Sequence, residues 1–172
     1  MLVNQPNQPN RTFQDLVEAT RAQREVPVFN GTLICFDPGE TTGYAIFNRC
    51  DLEDSSQLAT KDFSTCMKLI YDELRHHQSL APKIQVVMED YKVYGWKTDS
   101  HAWADLHTPK LIGGICTVCE LLNIPYHMQM AHQAKAFCTD KKLKDWGMYQ
   151  VGKQHARDAI RHGCYYLLFN KP

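Results

Sequence analysis

The stretch Leu33-Ile34-Cys35-Phe36-Asp37-Pro38-Gly39-Glu40-Thr41-Thr42-Gly43-Tyr44-Ala45-Ile46-Phe47 decides how the rest of the chain reads. A short apolar run ends on an acid, turns through Pro-Gly and a Thr pair, then resumes as a second apolar run from Gly43. That pattern predicts a buried strand, a tight turn and a second strand pairing back on the first. It leaves the Asp37 carboxylate at the end of an apolar strand, where an ionised group is unfavourable unless a cation or several donors meet it. Asp37 is therefore a candidate metal ligand. A strand-end Asp before Pro-Gly is also an ordinary turn residue whose side chain caps the turn, so its weight depends on partners elsewhere.

Two partners stand out. Glu89 closes Ile84-Gln85-Val86-Val87-Met88, a further apolar run bounded upstream by Pro82. Gly152 to Gly163 reads as the start of a C-terminal helix, with Ala156, Ala159, Ile160, Gly163, Cys164, Leu167 and Leu168 on one stripe that would pack on the sheet. His155 and Asp158 are three apart on that helix and can point at one site. Acids on two strands and a His-Asp pair on a final helix make a plausible divalent-metal constellation. Singly, Glu89 reads as a solvated strand end and His155 with Asp158 as a surface pair. Asp90 alternates to the opposite strand face and is held in reserve.

The order Asp37-Pro38-Gly39-x-x-x-Gly43, strand-terminal Glu89, then two polar residues three apart on a last helix resembles the RuvC family of Holliday-junction resolvases, which are RNase H-like nucleases. The likeness is closest to RuvC-like endonucleases of bacteriophages, whose last helix often carries a His-Ala-x-Asp-Ala pattern like His155 to Ala159. It runs from about Leu33 to about Leu168. It implies an α/β, RNase H-like mixed sheet flanked by helices, with two Mg²⁺ or Mn²⁺ ions about 4 Å apart. By that resemblance Asp37 bridges the metals, Glu89 binds one and Asp158 the other. His155 completes the site or assists proton transfer. Many bacterial relatives carry an acid at the His155 position, so both roles stay open. Three of these four ligands are hard oxygen donors, which suit Mg²⁺.

Composition agrees with a single globular domain. A chain of 172 residues with 44% apolar residues can bury a sizeable core. Residues 1–30 are expected to form a polar, partly disordered N-terminal extension, and 31–172 the nuclease domain. The Asn-Gln-Pro repeat at the start reads as neither signal peptide nor anchor. No apolar run reaches the roughly 18 residues of a bilayer span. The 7 cysteines are an odd number, and Cys35, Cys116 and Cys164 sit in apolar runs, so reduced thiols in a cytoplasmic protein are expected. Cys116-x-x-Cys119 lacks a second pair and reads as core packing rather than zinc or redox chemistry.

Formal net charge is zero, but its distribution is uneven. Lys135, Lys141, Lys142, Lys144, Lys153, Arg157 and Arg161 lie between Ala131 and Gly163, against Asp140, Asp145 and Asp158. A basic stretch beside the candidate site is what a phosphate backbone requires. For Lys141, Lys142 and Lys144 a solvated lysine-rich loop is an equal alternative. After Glu89, Tyr91, Tyr94 and Trp96 offer stacking faces and Lys92 and Lys97 phosphate contacts. Alternatively these rings close the domain or a dimer interface. In the resolvases an aromatic residue just after the strand-terminal Glu stacks at the junction. Lys92 occupies that place here, leaving Tyr91 or Tyr94 to substitute. Lys135 resembles a family position that contacts phosphate near the metals. The DNA-binding candidates are thus Tyr91, Lys92, Tyr94, Lys135, Lys141 and Arg157.

Along the chain, Thr12 to Arg24 predicts a short helix with Phe13, Leu16 and Val17 on one side, serving either the domain or a partner. A third strand is expected over Gln57 to Phe63, and a helix from Ser64 to about His77. A helix is predicted over Lys110 to Leu122, with Gly113-Gly114 allowing it to lie close to the sheet, and a fifth strand over Ile124 to Met130. A meander followed by alternating helix and strand is the RNase H-like order.

The expectation is a crossover junction endodeoxyribonuclease acting on branched DNA (four-way junctions first, then forks and flaps) as a homodimer. The phage likeness implies work in the cytoplasm of a bacterial host. A YqgF-like RNase processing structured RNA is the chemically close alternative. A non-catalytic nucleic-acid-binding module is a second, which the intact acids argue against. Actin-like and sugar-kinase ATPases use a similar Asp-Gly turn, but need two lobes and a second phosphate loop.

Overall fold

Strand pairing follows from the hydrophobic alternation around Asp37. In the computed structural model, which describes residues 12–59, 62–81, 83–91 and 107–170, β1 (Thr32–Asp37) turns back into β2 (Thr41–Asn48), and β2 into β3 (Asp51–Ala59). Both pairs are antiparallel, with Asp37 opposite Gly43 and Gly43 opposite Gln57. Helix α1 (Phe13–Gln23) precedes this meander and α2 (Phe63–Leu80) follows it. Next come β4 (Ile84–Asp90), α3 (His107–Leu121), β5 (Tyr126–Met130), α4 (Ala131–Phe137), α5 (Asp140–Asp145) and α6 (Gln154–Phe169). The sheet order is β3-β2-β1-β4-β5, with β4 parallel to both β1 and β5.

Alternate strand residues feed two cores. Leu33, Cys35, Ala45, Phe47 and Val87 pack with Ala159, Ile160, Cys164 and Leu167 of α6. Ile34, Phe36, Ile46, Val86 and Met88 pack with Ile70 and Leu74 of α2 and with Leu111 and Ile115 of α3. The C-terminal helix stripe is buried over the residues its periodicity marks out. All 7 cysteines are free thiols, six of them buried.

The structure departs from the sequence reading at several edges. Strand β3 starts at Asp51, not Gln57. Asp51, Glu53 and Asp54 hid it: they line the solvent side of an edge strand, where charge keeps the edge from pairing with other chains. Asp62, not Ser64, caps α2, its carboxylate accepting from the Thr65 backbone amide at 3.1 Å, and the helix runs on to Leu80. Helix α3 begins three residues early at His107. Strand β5 begins at Tyr126 rather than Ile124. Gly114 faces Met67 of α2 rather than the sheet. The basic connector folds into α4 and α5, the latter capped by the Thr139 hydroxyl.

Residues 12–30 belong to the same core as the rest of the domain. Thr12 and Asp15 form a capping box that starts α1, and Phe13, Val17 and Phe29 are buried in the α6-side cluster. The buried Arg21 donates from Nε to the Leu167 carbonyl at 2.6 Å and from Nη2 to the Tyr166 carbonyl at 3.0 Å. Arg24 donates to the Phe169 carbonyl at 2.8 Å. These bonds meet carbonyls in the last turn of α6, of which that of Tyr166 also accepts from the Asn170 amide at 3.0 Å. The part of the expected extension that is described is thus a helix locked onto α6. No described helix is long and apolar enough to cross a membrane.

Candidate active site

Parallel pairing of β1 with β4 and β4 with β5 sets their C-terminal ends at one edge of the sheet. Phe36 pairs with Met88 and Glu89 with Gln129, so Asp37, Glu89 and Gln129 form one row of side chains directed at α6. Gly43 continues that row beside Asp37. A Cβ on Gly43 would stand 1.9 Å from the His155 carbonyl oxygen, and one on Gly163 would stand 2.3 Å from the Phe47 ring. Only hydrogen at these two positions lets α6 lie this close, and that approach brings the helix residues to the strand acids.

Five of the residues singled out from the sequence meet there. His155 Nδ1 lies 2.7 Å from Asp37 Oδ2. Asp37 and Glu89 hydrogen-bond to each other, and the charge of Asp158 also acts on Asp37. Lys135 Nζ, from α4, spans Glu89 Oε2 at 3.2 Å and Asp158 Oδ2 at 3.3 Å. Asp37 and Asp158 are 7% and 4% exposed, so their charge is poorly solvated.

The electrostatics record this crowding. Burial pushes the Asp37 carboxyl up to about 7, with Glu89 and Asp158 adding to the rise and the His155 bond opposing it. Burial also disfavours charge on Glu89, but hydrogen bonding by His162, the charge of Lys135 and the Asp37 bond outweigh it and bring its carboxyl down to about 2. Two adjacent buried carboxyls resist carrying both charges, and the opposite shifts make Asp37 the more readily protonated of the pair. Burial opposes the Lys135 charge too, yet Glu89, Asp158 and Asp37 together raise its pKa.

Three further side chains complete the cluster, and the sequence reading had not singled them out as parts of a site. His162 is buried between Glu89 Oε2, 3.2 Å from its Nε2, and Gln129 Oε1, 3.0 Å from its Nδ1. Arg161 pairs with both Asp158 and Asp140 and donates from Nε to the Cys138 carbonyl at 2.8 Å. The available signal was spacing: His162 follows Asp158 by four and His155 by seven, hence the same helical face. Gln129 had no comparable signal, because its role depends on strand register.

The nucleic-acid candidates separate. Lys135 faces the acids. Tyr91, just past Glu89, is half-buried against the core under α2 and α3. Lys141 is exposed and paired with Asp145 at 2.7 Å. Arg157 pairs with Asp140 at 3.9 Å; its Nη1 donates to the Gln150 carbonyl at 2.7 Å and its guanidinium lies over the Tyr149 ring. Lys92 and Tyr94 lie outside the described residues.

The donor chemistry fits hard divalent cations. Three carboxylates crowd one largely buried site, and burial together with the neighbouring Glu89 and Asp158 charges raises the Asp37 carboxyl. Among the described residues no three His, Cys or acidic side chains stand as a ready-made coordination set. The carboxylates are instead engaged with each other and with His155, His162, Lys135 and Arg161.

No family model and no curated protein matches the chain. Among solved structures it superposes on Thermus thermophilus RuvC in complex with a Holliday junction substrate, with TM-score 0.61 at 13% identity over 80% of this chain and 92% of that one. A second Thermus thermophilus RuvC structure gives 0.55 at 12% identity over 80% and 93%. The yeast mitochondrial Holliday junction resolvase Ydc2 gives 0.49 at 13% identity over 88% and 84%. The mixed five-stranded sheet flanked by helices is the RuvC and RNase H-like fold.

Proposed function

We propose that this protein is a metal-dependent, structure-selective endodeoxyribonuclease that resolves Holliday junctions and other branched DNA. The observation that carries this reading is the meeting of Asp37, Glu89, Asp158 and His155 at one edge of a RuvC-like sheet, with Lys135 bridging two of the acids. Two Mg²⁺ or Mn²⁺ ions held by these four side chains would supply activation of the attacking water and stabilisation of the leaving 3′-oxygen. The protein's own groups supply the rest. Bound cations would favour the ionised Asp37 carboxylate, which burial first, and then the Glu89 and Asp158 charges, disfavour in their absence. The His155 ring holds Asp37 in place through Nδ1. Lys135, long and half-exposed, is placed to leave Glu89 and Asp158 and meet a phosphate oxygen. Tyr91, two residues past Glu89 and half-buried against the α2–α3 core, would supply a ring on which an unstacked base can lie.

Resolution requires two cuts on opposed strands, which a two-fold symmetric homodimer provides. The phage resemblance makes the cytoplasm of a bacterial host the place of action. The test is a gel assay with labelled four-way junction, fork, flap, linear duplex and single-stranded RNA, with Mg²⁺ or Mn²⁺, alongside ATP turnover. Paired nicks in the junction, leaving 5′-phosphate and 3′-hydroxyl ends, are expected without ATP hydrolysis. Cleavage of RNA with an inert junction would instead indicate a YqgF-like RNase, and tight binding without cleavage a non-catalytic module.

A further inference from the structure

We propose that His162, braced by Gln129, is a positioning residue that sets the direction of the Glu89 carboxylate for a divalent cation. This rests on the reading of the cluster as a metal-dependent nuclease site. The imidazole is fully buried on α6 and both ring nitrogens are engaged. Nδ1 is 3.0 Å from Gln129 Oε1, and Nε2 is 3.2 Å from Glu89 Oε2. Glu89 and Gln129 are register partners on adjacent parallel strands, so one ring on α6 ties two strands at the same row. Rotating the ring would break both bonds in a place where a buried polar atom finds no water.

The Gln129 amide supports this bracing role. Its Nε2 is buried without a hydrogen-bond partner among the described residues, while its Oε1 faces Nδ1. Turning the amide end for end makes Nε2 the donor to Nδ1, and a neutral ring then directs Nε2–H at Glu89. In either orientation the glutamine holds the ring.

Packing alone does not explain a histidine here. The neighbouring α6 residues Ala159, Ile160 and Cys164 pack into the apolar cluster, whereas the His162 ring meets only polar partners, Gln129 and Glu89, in the hydrogen bonds it makes. Lys135 also reaches Glu89 Oε2, but its side chain is 41% exposed and can swing away; His162 cannot. Outer partners that orient a ligating carboxylate typically change metal affinity or activity about 10–100-fold when removed.

The full-length protein is titrated with Mn²⁺ alone, reading free Mn²⁺ by electron paramagnetic resonance, for wild type, His162→Leu, His162→Gln, Gln129→Leu and Asp37→Asn. Junction cleavage and metal-free Tm are measured on the same proteins. His162→Leu is expected to bind Mn²⁺ about 10–100-fold more weakly and to lose kcat with junction KM unchanged. His162→Gln, which keeps a donor for Glu89, should recover most of the loss, and Gln129→Leu should weaken Mn²⁺ binding several-fold. If His162→Leu does not fold, the Gln129→Leu affinity decides. Mn²⁺ binding that Asp37→Asn abolishes but the His162 and Gln129 variants leave at the wild-type level would overturn the positioning role alone. A wild-type protein that takes up no Mn²⁺ would overturn the nuclease reading itself, and this inference with it.

Discussion

The face of the sheet under α6 and the face under α2 and α3 are built from alternate residues of the same strands, yet they bury different chemistry. Along β1, Leu33 and Cys35 pack towards α6 and Ile34 and Phe36 the other way; along β4, Val87 does the first and Val86 and Met88 the second. The α2–α3 side is a continuous apolar core. Among the described residues, the buried arginine, acids and histidine (Arg21, Asp37, Asp158 and His162) all lie on α6 or bond to residues at the α6 face. One side supplies hydrophobic stabilisation with little electrostatic demand. The other sets carboxylates beside one another and holds them with Lys135, Arg161 and the His155 and His162 rings. A single strand can serve both ends because its side chains alternate.

The contrast predicts its largest effect at Asp37. Asp37→Asn keeps the shape and removes the charge that would bridge cations, so junction cleavage should fall by orders of magnitude while junction binding measured by gel shift persists. Near wild-type cutting in Mg²⁺ would remove the chemical distinction between the faces.

His155 comes next. His155→Ala should lose at least about tenfold in cleavage, the range for losing a group that binds or orients metal. His155→Asp should stay active and shift the Mn²⁺/Mg²⁺ activity ratio towards Mg²⁺, because imidazole favours Mn²⁺ and a carboxylate favours Mg²⁺. Full activity of His155→Ala with both metals would make this histidine a surface residue.

On the opposite face, Leu74 is fully buried in the α2–α3 core. Leu74→Ala should destabilise the fold by about 2–5 kcal/mol in urea unfolding, with kcat unchanged well below Tm. A proportionate loss of kcat would mean that the faces are mechanically coupled.

Tyr91 lies on the border, beside Glu89 in sequence but packed against the apolar cluster. If its ring stacks on an unpaired base, Tyr91→Ala should weaken junction affinity by about 1–3 kcal/mol with Tm little changed. A fall in Tm at constant affinity would assign the ring to packing.

The smallest effect is in pH dependence without metal. Folding raises the Asp37 carboxyl from 3.8 to about 7, so the folded state binds that proton more tightly. The resulting stability is present below about pH 4 and is lost as pH rises through about 7. Glu89 is shifted the other way, to about 2; its contribution is lost in acid and constant above about pH 5. Between about pH 5 and 8 the metal-free Tm should therefore fall by a few degrees, about 2–4 °C per kcal/mol. Asp37→Asn should flatten that slope. An equal slope in the variant would trace it to another group.

Much of this was legible before any coordinates. Alternating apolar residues around Asp37, the short run ending at Glu89 and the 3.6-residue stripe of the last helix are local patterns, so the sequence by itself determined β1, β2, β4, α6 and the order of the acids along them. Spacing alone put His155 and Asp158 on one helical face, and would have added His162. Strand β3 was misplaced because an acidic edge strand lacks the apolar signal on which periodicity depends. Only the tertiary structure decided which groups meet. The approach of α6 over Gly43, the row Asp37–Glu89–Gln129, the turning of Arg157 towards Gln150 and the bracing of His162 depend on sheet register and on contacts between residues far apart in the chain. Hydrophobic periodicity acts over a few residues and is written in the sequence. Charge compensation acts across space, and its partners are settled only when separate elements pack against one another.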